Sequence, residues 1–324
     1  MSRGFDTDDF RDSDSSRDVS RGSSRGWNSG DSLAEIHREE ARTDQRNQEQ
    51  PERPDKDRPP MPREERVQAI LAQRVRTKYA DRDKTYSLRD SEIHTLSEVG
   101  TFRVIAREDL TQFAYNGDRP RMENDLENLT RQGLVETRGT SVLKRNSRQV
   151  VTLTKQGQQL LRRHEFVPQD QAVYSGLVKP KEAAHDADLY RMYQKAADDI
   201  ESEGGKVLRV TLDYELKEKL YKKLGESQGL GEEYRDERKQ ELAREQHLPV
   251  VEGKVVLPDV RIEYETQEGD RDRVDLELAT DHYRPQGLAE KASAGFQIYA
   301  RSEDAGGLRR VRDDHEIMTA ILRL

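Results

Sequence analysis

Residues 1–62 are a run of Ser, Asp, Arg, Gly, Glu and Pro whose only aromatic side chains are Phe5, Phe10 and Trp27. A segment this poor in apolar groups cannot bury enough surface to offset the entropy of ordering its backbone. It reads as a disordered tail, so any core has to be built from residue 63 onward. Its charges alternate in sign and form no basic block, which makes it a mixed-charge tether and not a DNA-clamping arm. The chain has 324 residues and a formal net charge of −8. Bulk electrostatics therefore argue against a protein that coats nucleic acid, while a local basic patch can still bind DNA. With no cysteine, disulfides and thiolate zinc sites are excluded, and a reducing cytoplasmic setting is expected. No apolar run reaches membrane-spanning length, so no membrane partner is expected.

After a charged helical connector over 63–82, helix signals begin. Asp90 and Ser91 are capping types, and Ile93, Leu96 and Val99 recur at helical spacing up to a stop at Gly100. A short apolar stretch over 101–105 follows, then a second helix over 107–115 carrying Leu110, Phe113 and Ala114, and an Asn116-Gly117-Asp118 turn. A third helix runs over 119–132, with Pro120 in its first turn and Met122, Leu126 and Leu129 on its buried stripe. Next come a hairpin, 134–138 against 148–153, and a capped helix over 154–163. Three helices followed by a hairpin is the winged helix-turn-helix order, here spanning 83–165. The segment Leu153-Thr154-Lys155-Gln156-Gly157-Gln158-Gln159-Leu160-Leu161 resembles the post-wing helix of MarR- and PadR-like regulators.

In such a fold the third helix enters the major groove and the wing lies on the phosphates. The candidate DNA contacts are Arg119, Arg121, Asn124, Asn128 and Arg131 on the helix, with Arg138, Lys144, Arg145 and Arg148 on the wing. Asn124 and Asn128, one turn apart, can read adenine edges, though paired asparagines are common on exposed helix faces without that role. Glu123, Asp125 and Glu127 oppose phosphate on the same helix. A winged helix used for protein contacts or dimerisation therefore stays open.

Beyond a Pro- and Gly-bounded linker over 166–180, a second domain is expected over 181–324. It starts with a long helix over 185–203 that ends at Gly204-Gly205, followed by a strand over 206–213. Residues 215–246 are so charged that they read as an exposed helical insertion. Two strands, 254–265 and 273–280, precede a helix over 287–301, a short strand over 308–311 and a last helix ending at 322. With the insertion set aside, this is the order of restriction-endonuclease-like domains, and the expected class is α+β or α/β.

Asp259 and Glu277 on adjacent strands place two carboxylates within reach of one Mg²⁺, since neighbouring strands are about 4.8 Å apart. Asp275 shares a strand face with Glu277, and His185, Asp186 or Asp188 would complete the cluster from the long helix. A working nuclease of this type carries a lysine two positions past the strand acid, where this chain has Ala279; Lys291 is the candidate replacement. Each residue also has an ordinary reading. Asp259 follows a proline in a turn, Glu277 can pair with Arg273 or Arg284, His185 can cap its helix, and Lys291 can be a surface lysine. No phosphate-binding glycine loop, nucleophile elbow or His-Glu-x-x-His motif occurs. Tyr283 and Tyr299 are nominal nucleophiles, but no His-x-His pair supports an autonomous relaxase.

His185-Asp186-Ala187-Asp188, Pro258-Asp259, Glu277 with Thr280, then Lys291 and Tyr299, resemble the replication-relaxation family of plasmid and integrative-element proteins. That resemblance implies a winged helix joined to a divergent nuclease-like domain. It also implies an accessory role in replication, mobilisation or conjugation, with duplex DNA as partner, a relaxase or replication protein as a further one, and homodimerisation open. DNA binding would need no cofactor; Mg²⁺ would matter only if the nuclease-like site is active. The rivals are a transcriptional regulator with a C-terminal sensor or oligomerisation domain, and an Mg²⁺-dependent nuclease using Asp259, Glu277 and Lys291.

Overall fold

The computed structural model describes residues 61–139, 148–176, 182–225, 232–280 and 283–324. The expected tail up to residue 60 and the wing tip with Lys144 and Arg145 lie outside the described residues. What is described is a mixed α+β chain.

Helix α1 (Arg63–Ala72) buries Val67 and Leu71. The helical connector expected up to residue 82 ends there. Strands β1 (Thr77–Asp81) and β2 (Lys84–Leu88) form an antiparallel hairpin instead, with Tyr79 opposite Tyr86 and Arg82 in the turn at φ 52°. Tyr86 and Leu88 point inward at alternate positions, the two-residue period of a strand.

Helix α2 (Asp90–Phe102) passes through Gly100 instead of stopping there. The glycine is needed for packing: a Cβ at residue 100 would lie 2.9 Å from Leu161 Cδ1 and 3.0 Å from both Leu153 Cδ1 and Val173 Cγ1. The chain turns at Arg103, φ 66°, into β3 (Ile105–Ala106), α3 (Arg107–Ala114) and α4 (Arg119–Arg131). Asp118 caps α4 by accepting from the Arg121 N–H at 3.1 Å, and Met122, Leu126 and Leu129 are buried beneath it. Strands β4 (Val135–Gly139) and β5 (Gln149–Leu153) complete an antiparallel sheet in the order β3-β5-β4. Helix α5 (Lys155–Arg163) is capped by Thr154, which accepts from the Gly157 N–H at 3.1 Å.

The expected linker is packed over its described part. Val167, Gln171 and Val173 are buried. Gln171 donates to the Val210 carbonyl at 2.9 Å and accepts from the Val210 N–H at 3.1 Å, so a side-chain amide occupies backbone groups that the edge of a sheet would otherwise leave open.

Next come α6 (Ala183–Ser202), β6 (Lys206–Leu212), α7 (Asp213–Gly225), α8 (Glu232–Glu245), β7 (Val250–Val251), β8 (Lys254–Val255), β9 (Val260–Glu265) and β10 (Arg271–Ala279). The chain ends with α9 (Pro285–Ser293), β11 (Gln297–Ala300), α10 (Ser302–Asp314) and β12 (Ile321–Arg323). The central sheet has the order β12-β11-β10-β9-β6, antiparallel from β6 to β10 and parallel from β10 to β12. Val210, Leu212, Val260, Ile262, Leu276, Leu278 and Tyr299 belong to a core shared with Leu189, Tyr190, Met192 and Ala196 of α6. Ala279, Ile298 and Ala300 form a second core with Leu288 of α9 and Ala305 and Leu308 of α10.

Five expectations differ here. The helix over 287–301 stops near Gly295, φ 81°, and Gln297–Ala300 is a strand. The strand expected over 308–311 is part of α10, and the last helix is replaced by β12. The strand over 254–265 is interrupted between β8 and β9, where Pro258 has no N–H to give a ladder. The charged segment 215–246 is two helices, not an exposed insertion: Leu216, Leu220, Leu224, Leu242 and Ala243 are all buried.

The two expected domains share a continuous core. Val104, Ala106 and Val150 pack on Ala187 of α6, and the Arg191 guanidinium sits 2.6 Å from Asp109. Among the described residues no helix is long and apolar enough to cross a membrane.

Candidate functional site

Asp259 stands where Pro258 has broken the strand, so its backbone is used by two neighbouring elements. Its N–H donates to the Leu276 carbonyl and its carbonyl accepts from the Asp213 N–H, both at 3.0 Å. Its Oδ2 accepts from the Leu278 N–H at 2.9 Å. That fixes the carboxylate beside Glu277, which lies on β10 and is 3% exposed. Lys291 of α9 brings its Nζ 2.8 Å from Glu277 Oε2 and 2.6 Å from the Leu257 carbonyl. The Tyr283 hydroxyl donates to the other Glu277 oxygen. His185, in the first turn of α6, has its Nε2 3.8 Å from Asp259 Oδ1.

The charges set one another. Burial would lift the Asp259 carboxyl, but His185, the Leu278 N–H and Lys291 hold it below the ordinary range. Burial and then the Asp259 charge push Glu277 up to about 7, against the pull of Lys291 and Tyr283. Burial acts to lower the His185 imidazolium, yet the hydrogen bond and charge of Asp259 keep it above its usual value. Asp186, next along α6, is raised to about 6, chiefly by burial, with His185 and Arg103 acting against it. The arrangement is therefore one anchored anion, one carboxyl that can hold a proton at neutral pH, the Lys291 ammonium, and an imidazole whose protonated form Asp259 favours.

The structure brings Asp259, Glu277, Lys291 and His185 together, with Asp186 next to His185, and holds the remaining candidates elsewhere. Asp188 is 1% exposed and binds Arg148 at 2.5 Å and Arg301 at 2.6 Å, tying the base of the wing to the second half of the chain. Asp275 is held by Arg261, 2.7 and 2.8 Å to its two oxygens. Tyr299 is buried on β11, not on a helix. Thr280 follows β10, and its carbonyl accepts from the Tyr283 N–H at 3.0 Å. Sequence reasoning missed Tyr283 as a partner of Glu277. It also missed Asp213 and Lys217, which are ion-paired at the start of α7 beside Asp259.

Mg²⁺ wants about six oxygen ligands in near-octahedral array, usually including carboxylates and several waters. Here both Glu277 oxygens already accept from Lys291 and Tyr283. Among the described residues no set of three His, Asp or Glu side chains is placed to hold a metal. As arranged, these residues do not fit a divalent cation.

On α4 the outward residues are Arg119, Asn124, Glu127 and Arg131. Asn124, Glu127 and Arg131 border an open groove of about 730 Å³ that Arg107, Glu123 and Thr137 also line. Each exposed arginine of this face has a carboxylate neighbour: Arg119 lies 3.6 Å from Glu123, Arg131 2.8 Å from Glu127 and Arg138 2.7 Å from Glu136. Two predicted readers are turned inward. Asn128 donates to Glu92 at 2.8 Å, and Arg121 donates to the Gln73 carbonyl at 3.1 Å. Arg148 is engaged by Asp188.

No family model, curated protein or solved structure matches the chain. The resemblance to replication-relaxation proteins thus rests on the residues quoted for it.

Proposed function

We propose that this chain is a duplex-DNA-binding protein that does not cut DNA, an accessory factor for replication, mobilisation or conjugation of a mobile element. The observation carrying the reading is the β3-β5-β4 sheet set behind α2, α3 and α4, with the outer face of α4 left in solvent. Helix, strand, two helices and a hairpin form the winged-helix order, and that fold presents this face to a major groove. Exposed arginine–carboxylate pairs are worth only about 0–1 kcal/mol each, so phosphates can take the arginines from their acids at little cost.

The second half supports the reading as a nuclease-like sheet put to another use. With α7, α8, β7 and β8 set aside, the order α6-β6-β9-β10-α9-β11 is the one expected of restriction-endonuclease-like domains. Its acids, however, are occupied by internal hydrogen bonds. Cleavage is the rival reading, and the approach of Lys291 to Glu277 favours it.

One experiment separates the two. Supercoiled and linear duplex DNA are incubated with the protein or Glu277→Ala, with Mg²⁺ or Mn²⁺, and binding and cleavage are read from the same gels. Binding without cleavage in both proteins supports an accessory factor. Cleavage by the wild type that the variant loses establishes a nuclease, and absence of binding overturns both.

A further inference from the structure

Helix α7 starts at the carboxylate cluster and leads away from it. The Asp213 N–H is hydrogen-bonded to the Asp259 carbonyl at 3.0 Å, and Lys217, one turn on, is ion-paired with Asp213. Burial acts to lower the Lys217 ammonium, but Asp213, then Asp259 and Tyr221, hold it above its ordinary value. The three residues 213, 217 and 221 thus form a row along the helix, since positions four apart share a face.

Tyr221 is 53% exposed. The apolar stripe of α7 is Leu216, Leu220 and Leu224, all buried, and Tyr221 falls outside it. The exposed charges of the helix are Lys217, Lys219, Lys222 and Lys223 against Glu218, and with Asp213 and Glu215 counted four positive charges stand against three negative ones. Lys217 is spoken for by Asp213, and Lys219 and Lys223 lie 2.6 Å from Glu215 and 3.0 Å from Glu245. Among the described residues Lys222 has no carboxylate partner.

A single exposed aromatic ring is ordinary. An exposed ring next to an ammonium group without a carboxylate partner, on a row leading to a carboxylate–lysine cluster, is a combination that can take a stacked base and a phosphate. Tyr234 on α8 shows the contrast. It is 50% exposed but lies on another helix, off the row that starts at Asp213.

We infer that the outer face of α7 is a guide for single-stranded DNA, with Tyr221 stacking on a base and Lys222 contacting a flanking phosphate. A strand lying there runs toward Asp259, Glu277 and Lys291. The inference rests on the DNA-binding reading above but assigns a different surface and a different form of DNA.

The test uses the full chain and fluorescence anisotropy, with a labelled oligothymidylate and, separately, a labelled duplex. Tyr221→Ala should weaken oligothymidylate binding about fivefold or more, the scale of one lost base stack. Tyr221→Phe should bind like wild type, as should the control Tyr234→Ala. Lys222→Ala should reduce the slope of log affinity against log salt by about 0.7, one phosphate on a single strand. Duplex affinity should be the same in all four variants. The inference is overturned if Tyr221→Ala binds the oligothymidylate like wild type, if Tyr221→Phe loses as much as Tyr221→Ala, or if Tyr234→Ala is equally damaging. Wild type that binds duplex but no oligothymidylate removes the guide and leaves the DNA-binding reading standing. Wild type that binds neither removes both.

Discussion

Lys291 holds its ammonium nitrogen 2.8 Å from Glu277 Oε2 although the two side chains belong to a helix and a strand. The position two residues past the glutamate on its own strand is Ala279, fully buried against Leu288 and Ile298. A lysine at 279 would have to place its charge in that apolar layer. One on α9 reaches the same carboxylate from the side, through a partly solvated approach.

The pair gives the protein a pH dependence whose sign is fixed. Glu277 titrates near 7 in the folded chain, raised from 4.5 by burial and the Asp259 charge. A group whose folded value is raised stabilises the folded state fully below 4.5, and that contribution is lost as pH rises through 7. Urea midpoints measured across this interval should show Glu277→Gln with a flatter decline than wild type. Lys291→Met, which removes the counter-charge, should steepen the decline and cost about 3 kcal/mol on the alkaline side. A Glu277→Gln curve parallel to wild type would contradict the assignment.

Asp188 is the joint between the two halves. Its buried carboxylate satisfies Arg148 from the wing strand and Arg301 after β11, so Asp188→Asn leaves two guanidinium groups facing a neutral amide. The expected loss is about 3–5 kcal/mol by chemical denaturation. In the Asp188→Asn background a further Arg301→Met should cost much less than it does alone, because the partner is already gone.

How far this was readable from sequence follows from where each signal lives. Helix α4 was legible because Pro120, Met122, Leu126 and Leu129 mark its start and its buried stripe within a few residues. The nearness of Asp259 to Glu277 was legible because both fall on neighbouring strands, and Lys291 entered only as a candidate replacement for the lysine missing at 279. The hairpin over 77–88 was not, since only Asp81, Tyr86 and Leu88 are buried among its residues and most of the rest are charged or hydroxyl-bearing. Nor was Asp188, whose partners lie 40 and 113 residues away; its neighbours His185 and Asp186 made a shared cluster the natural reading. Tyr283 reaches Glu277 only because the chain reverses after β10, and no local pattern announces that contact.

The two asparagines of α4 separate a structural role from a recognition role. Asn128 donates to Glu92, whose carboxylate also binds Arg76 at 2.9 Å and the Arg89 N–H at 2.8 Å. Asn128→Ala should therefore lower the thermal midpoint, by about 1 kcal/mol in stability, and weaken all DNA sequences alike. Asn124 is exposed beside the groove, so Asn124→Ala should leave the midpoint in place. Any change in base preference should come from that variant. Competition binding against a set of single-base variants of one duplex reads the difference.

Two glycines in helices predict opposite tolerances. Alanine is normally the better helix former by about 1 kcal/mol, so a glycine inside a helix needs a reason. At Gly100 the crowding atoms are the methyl ends of Leu153, Leu161 and Val173, about 3 Å from the added Cβ. Side-chain ends can shift, so Gly100→Ala should cost roughly 1 kcal/mol or less once the helix gain is counted. At Gly157 the added carbon would overlap the Leu134 carbonyl oxygen, a backbone atom that also accepts from the Thr154 N–H at 3.0 Å. Relief there requires moving β4 or α5 and losing the Thr154 cap. Gly157→Ala should consequently cost about 3 kcal/mol or more by urea denaturation, and equal midpoints for the two variants would mean that the contact between α5 and the start of β4 is looser than these distances require.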